Sequence, residues 1–74
     1  PVPLTNGLSL VEFSTIKNRI YYMQYSSDMN HWNTALPAII GTGSCVQWID
    51  NGPPKTESLP SSERSRFYRV ILLP

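Results

Sequence analysis

The chain reads as a small all-β fold, an antiparallel meander or β-sandwich of four to five strands. Three observations predict it. Residues 19–26 alternate Tyr21, Met23 and Tyr25 against Ile20, Tyr22 and Gln24, the period of two that places successive side chains on opposite faces of a strand. Residues 8–16, 45–49 and 66–73 are rich in β-branched, aromatic and other apolar residues and are separated by Gly, Pro and Asn. Nowhere does a capped apolar stripe with a 3.6-residue period reach helix length.

The 74 residues allow at most one small domain, near the size at which a single core is only just sufficient. Two Trp, four Tyr and two Phe therefore carry much of the burial. Six Lys and Arg against five Asp and Glu leave no field for a polyanionic partner, and nucleic-acid binding is not expected. Arg64, Arg66 and Arg69 cluster near the end, where solvation or capping by carboxylates is the simpler reading. Cys45 is the sole cysteine, so no internal disulfide forms; its apolar neighbours make it a small buried hydrophobe in expectation. The start at Pro1 rather than Met reads as that of a fragment or processed product. The longest apolar run, residues 70–73, is about a fifth of a bilayer-spanning helix.

Taken in order, residues 1–7 hold two prolines and Asn6-Gly7 and read as a linker or lead-in, with the domain proper at 8–74. In residues 8–16, Val11 and Phe13 share one strand face and Glu12 and Ser14 the other. Lys17-Asn18 fits a hairpin turn, since Asn tolerates positive φ. In the second strand Tyr21, Met23 and Tyr25 are expected inward, leaving Tyr22 as an exposed aromatic. Asp28 then suits a tight turn, accepting hydrogen bonds from backbone N–H groups two or three residues on, and folds Trp32 back as a lid over the core. Pro37 restricts residues 33–40 to an edge strand ending at Ala38-Ile39-Ile40. Gly41 and Gly43 form a turn, Val46 and Trp48 share the inner face of the next strand, and Asp50, Asn51 and Gly52 end it. Residues 55–63 are loop-like. Phe67, Tyr68, Val70 and Leu72 of the last strand are available to the core.

The series Tyr21-x-x-Gln24-Tyr25-Ser26-Ser27-Asp28-Met29-x-x-Trp32, then Gly41-Thr42-Gly43-Ser44, then Asp50, then Arg66-Phe67-Tyr68-Arg69-Val70, resembles a small β-rich module found at the C-termini of large secreted or surface proteins of environmental bacteria. The resemblance covers residues 10–72. It implies an immunoglobulin-like or related sandwich appendage, non-catalytic, beside hydrolytic or adhesive domains, and hence a secreted or cell-surface location. Two departures stand out: Asn18 replaces the usual hairpin Gly, and the loop from Pro53 to Ser62 exceeds the common spacing.

Candidate sites are few. Tyr22, Gln24 and Arg69, on outward positions of two strands, could form a contact face for carbohydrate or peptide. Trp32 could stack on a sugar, but a small core needs such a residue, and Trp48 is core by its register with Val46. Asp28-x-Asn30 has the start of a calcium-loop spacing without the third ligand, glycine or distal Glu. Asp28, Asp50, Glu57 and Glu63 lack the cleft a carboxylate pair requires. His31 has no zinc-binding companions and reads as a solvent-facing turn residue. The expected core is thus Phe13, Tyr21, Met23, Tyr25, Trp32, Val46, Trp48, Phe67, Tyr68 and Val70, with Asn18, Asp28, Gly41, Gly43, Asp50 and Gly52 as turn formers; no cofactor, metal or catalytic group is expected. The functional expectation is a C-terminal accessory module in a spacer, anchoring or interaction role, bound to upstream domains of its own polypeptide or to a polysaccharide or surface protein. The alternative is a carbohydrate-binding module centred on Tyr22.

Overall fold

A computed structural model describes residues 1–74. Its elements in chain order are β1 (Val2–Pro3), β2 (Ser9–Ser14), β3 (Ile20–Ser26), β4 (Asn33–Thr34), β5 (Ile39–Ile40), β6 (Cys45–Asp50), a single 3-10 turn (Pro60–Ser62) and β7 (Phe67–Leu72). They form two antiparallel sheets. In the first, β2 lies between β1 and β6. In the second, β3 is central: β7 runs along one edge, and the short β4 and β5 occupy the two ends of the other. The five expected strands are present, joined by the two-residue β1 and β4.

The alternation of β3 is as read from the sequence. Tyr21, Met23 and Tyr25 are buried, with Met23 only 1% exposed, while Tyr22 and Gln24 face outward. Met23, Tyr25, Ala35 and Trp48 form the centre of the core, with Val11, Phe13, Ile39, Tyr68 and Val70 packed against it. The two sheets meet through aromatic pairs. Phe13 of β2 lies 5.8 Å from Tyr21 of β3, and Trp48 of β6 meets Tyr68 of β7 edge-on at 5.9 Å, geometries that add to simple area burial.

Four expectations are corrected here. Lys17-Asn18 is no hairpin: β2 pairs with β1 and β6, and β3 with the other sheet. Asn18 does adopt positive φ (65°), and Arg19 N–H bonds the Ile16 carbonyl at 3.2 Å. The turn, however, carries the chain across from one sheet to the other, so that the apolar faces of β2 and β3 oppose each other instead of lying side by side. Residues 1–7 are not a linker, because Val2 and Pro3 pair with Leu10 and Ser9, and Leu4 N–H bonds the Leu8 carbonyl at 2.8 Å. Phe67 is 38% exposed rather than core, since it shares the outward parity of Arg69. Cys45 is exposed, for the same reason of parity: the buried face of β6 carries Trp48 and Asp50, with Val46 half-buried.

Candidate functional site

Two polar constellations stand out, one on the outside of the second sheet and one inside. The outer one gathers all three residues expected to make contacts. Gln24 of β3 is the direct cross-strand partner of Arg69 of β7, and Tyr22 the partner of Ile71. Arg69 Nε donates to Gln24 Oε1 at 2.7 Å, and Gln24 Nε2 donates to Thr34 Oγ1 at 3.1 Å, so a ladder of polar side chains crosses three strands. Trp32 lies on this face with the Arg69 guanidinium 4.1 Å from its ring centroid, a cation–π contact. It is therefore not a core lid: it is half-buried against Arg69, outside the central apolar cluster.

The loop between β3 and β4 delivers Trp32 to that position. Asp28 Oδ1 accepts from the N–H groups of Asn30 (2.8 Å) and His31 (2.9 Å) and from Ser26 Oγ (3.0 Å), as its turn-forming role requires. His31 Nδ1 sits 2.9 Å from Asp28 Oδ2, with the imidazole almost fully exposed. The His31 side chain, then the backbone N–H groups of His31 and Asn30 and the Ser26 hydroxyl, hold the Asp28 carboxyl far below the ordinary carboxylate range. Met29 takes positive φ (63°), closing the turn.

The inner constellation centres on Asp50, whose side chain is fully buried. Its Oδ1 accepts from Thr56 Oγ1 (2.6 Å) and Gly52 N–H (3.1 Å). Its Oδ2 accepts from Arg66 Nη1 (3.0 Å) and Tyr68 OH (2.7 Å). Arg66, with only 4% of its side chain exposed, also donates to the Ser58 carbonyl (2.7 Å) and Ser58 Oγ (2.6 Å), and its guanidinium lies 5.1 Å from the Tyr25 ring centroid. Burial pushes the Asp50 carboxyl up, but the bonds from Thr56, Tyr68, Arg66 and Gly52 outweigh it, and the net shift is downward. Burial, and then donation to Asp50, push the Tyr68 hydroxyl well above its usual range. Asp50 is thus more than a strand-ending turn residue: it ties β6, the 55–63 loop and β7 together. Strand parity carried the signal, because Asp50 follows the buried Trp48 by two positions and Arg66 precedes Tyr68 by two.

One shallow cavity of about 390 Å³ lies between the N-terminal segment and the 3-10 turn, lined by residues such as Leu4, Leu8, Pro60 and Ser61 and by no carboxylate, histidine or cysteine. No three His, Cys, Asp or Glu side chains converge in a metal-binding group, and no helix is long and apolar enough to cross a membrane.

The fold is therefore that of a small two-sheet antiparallel β domain bearing an aromatic and polar outer face. Comparison with protein-family models, with curated proteins and with solved structures gave no match.

Proposed function

We propose that the chain is a non-catalytic accessory module of a larger secreted bacterial protein, in a spacer, anchoring or protein-interaction role. On this reading its contacts are made by the outer face of the second sheet, and the partner is another domain of the same polypeptide or a surface protein. The observation that carries the reading is the Trp32–Arg69 stack beside Tyr22 and Gln24. Tryptophan, tyrosine and arginine are the residue types that dominate protein–protein hot spots, and Ile20, Ile40 and Phe67 add exposed apolar area. The buried carboxylate supports the same reading from the other side. Each Asp50 oxygen already accepts two hydrogen bonds, and its role is cohesive.

Carbohydrate binding is the second reading, favoured by Tyr22 and Trp32 on one rigid face. Against it, the guanidinium of Arg69 occupies an indole face on which a pyranose ring would stack. Calorimetric titration with a neighbouring domain of the same polypeptide, together with affinity electrophoresis on a polysaccharide panel, separates the two. Binding to the domain that weakens roughly tenfold or more in Arg69→Ala, about 1.4 kcal/mol, supports the interaction module. Retardation on a glycan that Tyr22→Ala abolishes, with folding intact, replaces it by the carbohydrate reading.

A further inference from the structure

β7 pairs with β3 on one side and with no strand on the other. The ladder fixes which of its backbone groups face that free rim. Leu73 N–H donates to the Ile20 carbonyl at 2.9 Å, which makes Ile20 and Leu73 a hydrogen-bonded pair. Antiparallel ladders alternate bonded and non-bonded pairs, so Tyr22 with Ile71, Gln24 with Arg69 and Ser26 with Phe67 are bonded too. The N–H and C=O groups of Tyr68, Val70 and Leu72 therefore point outward, away from β3.

The other rims of the two sheets are guarded in ways known to prevent edge-to-edge association. β1 is two residues long and includes Pro3. β4 and β5 are two residues each, with Pro37 between them. On β6 the Lys55 ammonium caps the Ile49 carbonyl at 2.7 Å and Pro53-Pro54 follow. β7 is less guarded: it is six residues, Phe-Tyr-Arg-Val-Ile-Leu, with no proline or lysine within it and no side chain capping its rim, and its one charge, Arg69, is turned onto Trp32 and Gln24 of its own sheet. Leu72 has the inward parity of Tyr68 and Val70, yet is 42% exposed at this uncovered edge.

We propose that the free rim of β7 is a dimerisation edge, pairing antiparallel with β7 of a second copy about a two-fold axis at Val70. This register sets Tyr68 opposite the partner's Leu72, Val70 opposite the partner's Val70, and Arg69 opposite the partner's Ile71. The strand is self-complementary there. Outward-pointing backbone groups meet each other, Leu72 gains an aromatic neighbour, and the aliphatic stem of Arg69, whose guanidinium stays on Trp32 and Gln24 of its own sheet, faces the partner's Ile71. A two-fold centred on Arg69 sets two guanidiniums face to face, which is unfavourable. One centred on Ile71 brings Pro74, which has no N–H, opposite Tyr68 and shortens the ladder. A net charge of +1 opposes self-association little. The interface is isologous and closed, so it stops at the dimer. It requires neither the outer-face partner nor a secreted location.

Sedimentation equilibrium of the whole chain from micromolar to millimolar concentration tests this, with circular dichroism to follow folding. The expected result is a reversible monomer–dimer equilibrium. Ile71→Glu, which places a carboxylate opposite the partner's Arg69, tightens it, and Ile71→Lys loosens it by roughly tenfold or more. A chemically synthesised chain with the Val70 amide N-methylated keeps every side chain but loses an outward donor, and stays monomeric. A chain monomeric at all concentrations overturns the proposal and leaves a strand from a different protein as the occupant of the rim. A dimer indifferent to both Ile71 variants, or to the N-methyl group if those do not fold, overturns it as well.

Discussion

At the scale of single residues, Asp50 and Arg66 are the pair on which most other groups depend. Each Asp50 oxygen accepts two hydrogen bonds, and Arg66 spans from Asp50 to Ser58 while lying over Tyr25. Removing one member of such a pair strands the other charge out of water. Asp50→Ala is therefore expected to destabilise the domain by about 3–5 kcal/mol, a large part of the total for a chain this small. The combined Asp50→Ala, Arg66→Met variant is expected to lose less than the sum of the single changes, because no uncompensated charge remains. Urea denaturation of the four chains checks both; additive losses would mean that the two residues act independently. The role of this pair was within reach of the sequence, since Trp48 was already assigned inward and Asp50 has the same parity. Its acidity and its place before Asn51-Gly52 instead suggested a turn, and it does also cap the Gly52 N–H. The Trp32–Arg69 stack was less legible: its two members lie far apart in sequence, on a loop and on the last strand.

At the scale of elements, the connection from β2 to β3 decides the architecture. Asn18 N–H bonds the Gly41 carbonyl at 3.0 Å and Gly41 N–H bonds the Arg19 carbonyl at 2.8 Å, so the crossing turn is tied to the segment that follows β5. Tyr21 OH accepts from Ile16 N–H at 2.8 Å on the same corner. A Cβ on Gly41 would overlap the Ile16 carbonyl oxygen, which is backbone and cannot swing away. Gly41→Ala is therefore expected to cost about 1–3 kcal/mol through overpacking, measured as a lowered urea midpoint with an unchanged slope. A variant as stable as the parent would show that the corner relaxes freely. The tight turn at Lys17-Asn18 was readable from Asn18 alone, but a turn of that kind serves a hairpin and a sheet-crossing corner equally. Whether the next strand lies beside β2 or opposite it depends on β6 and β7, which come later in the chain and claim the edges of β2 and β3.

At the scale of the whole molecule, titration links the buried network to stability. Asp50 has a folded-state pKa below its unfolded value near 3.9, so the stability it contributes is present above about pH 4 and is lost as pH falls toward the folded value. Asp28 acts in the same direction from its exposed loop. Tyr68 has a folded-state pKa above its unfolded value of about 10, so its contribution is present below about pH 10 and is lost as pH rises beyond it. Tm is expected to hold a plateau between these limits and to fall on both sides. Asp50→Asn is expected to lower the plateau and to make the acid limb shallower, with Asp28 accounting for what is left of it. Thermal melts followed by circular dichroism over this range provide the check. An unaltered acid limb in Asp50→Asn would place the titrating group elsewhere.

By itself, the sequence determined the all-β class of this protein and the inner face of its central strand, β3. The alternation of Tyr21, Met23 and Tyr25 admits a strand and no helix, and so few large side chains in a short chain have to share one core. Parity along a strand is a local property, fixed by backbone geometry whatever the strand pairs with. Tertiary structure alone decided which strands share a sheet, that Trp32 stacks on Arg69 outside the core, and that Asp50 meets Arg66 and Tyr68 within it. Each of these is a contact between segments distant in the chain, chosen by how two sheets bury their apolar faces together and not by any residue's neighbours in sequence.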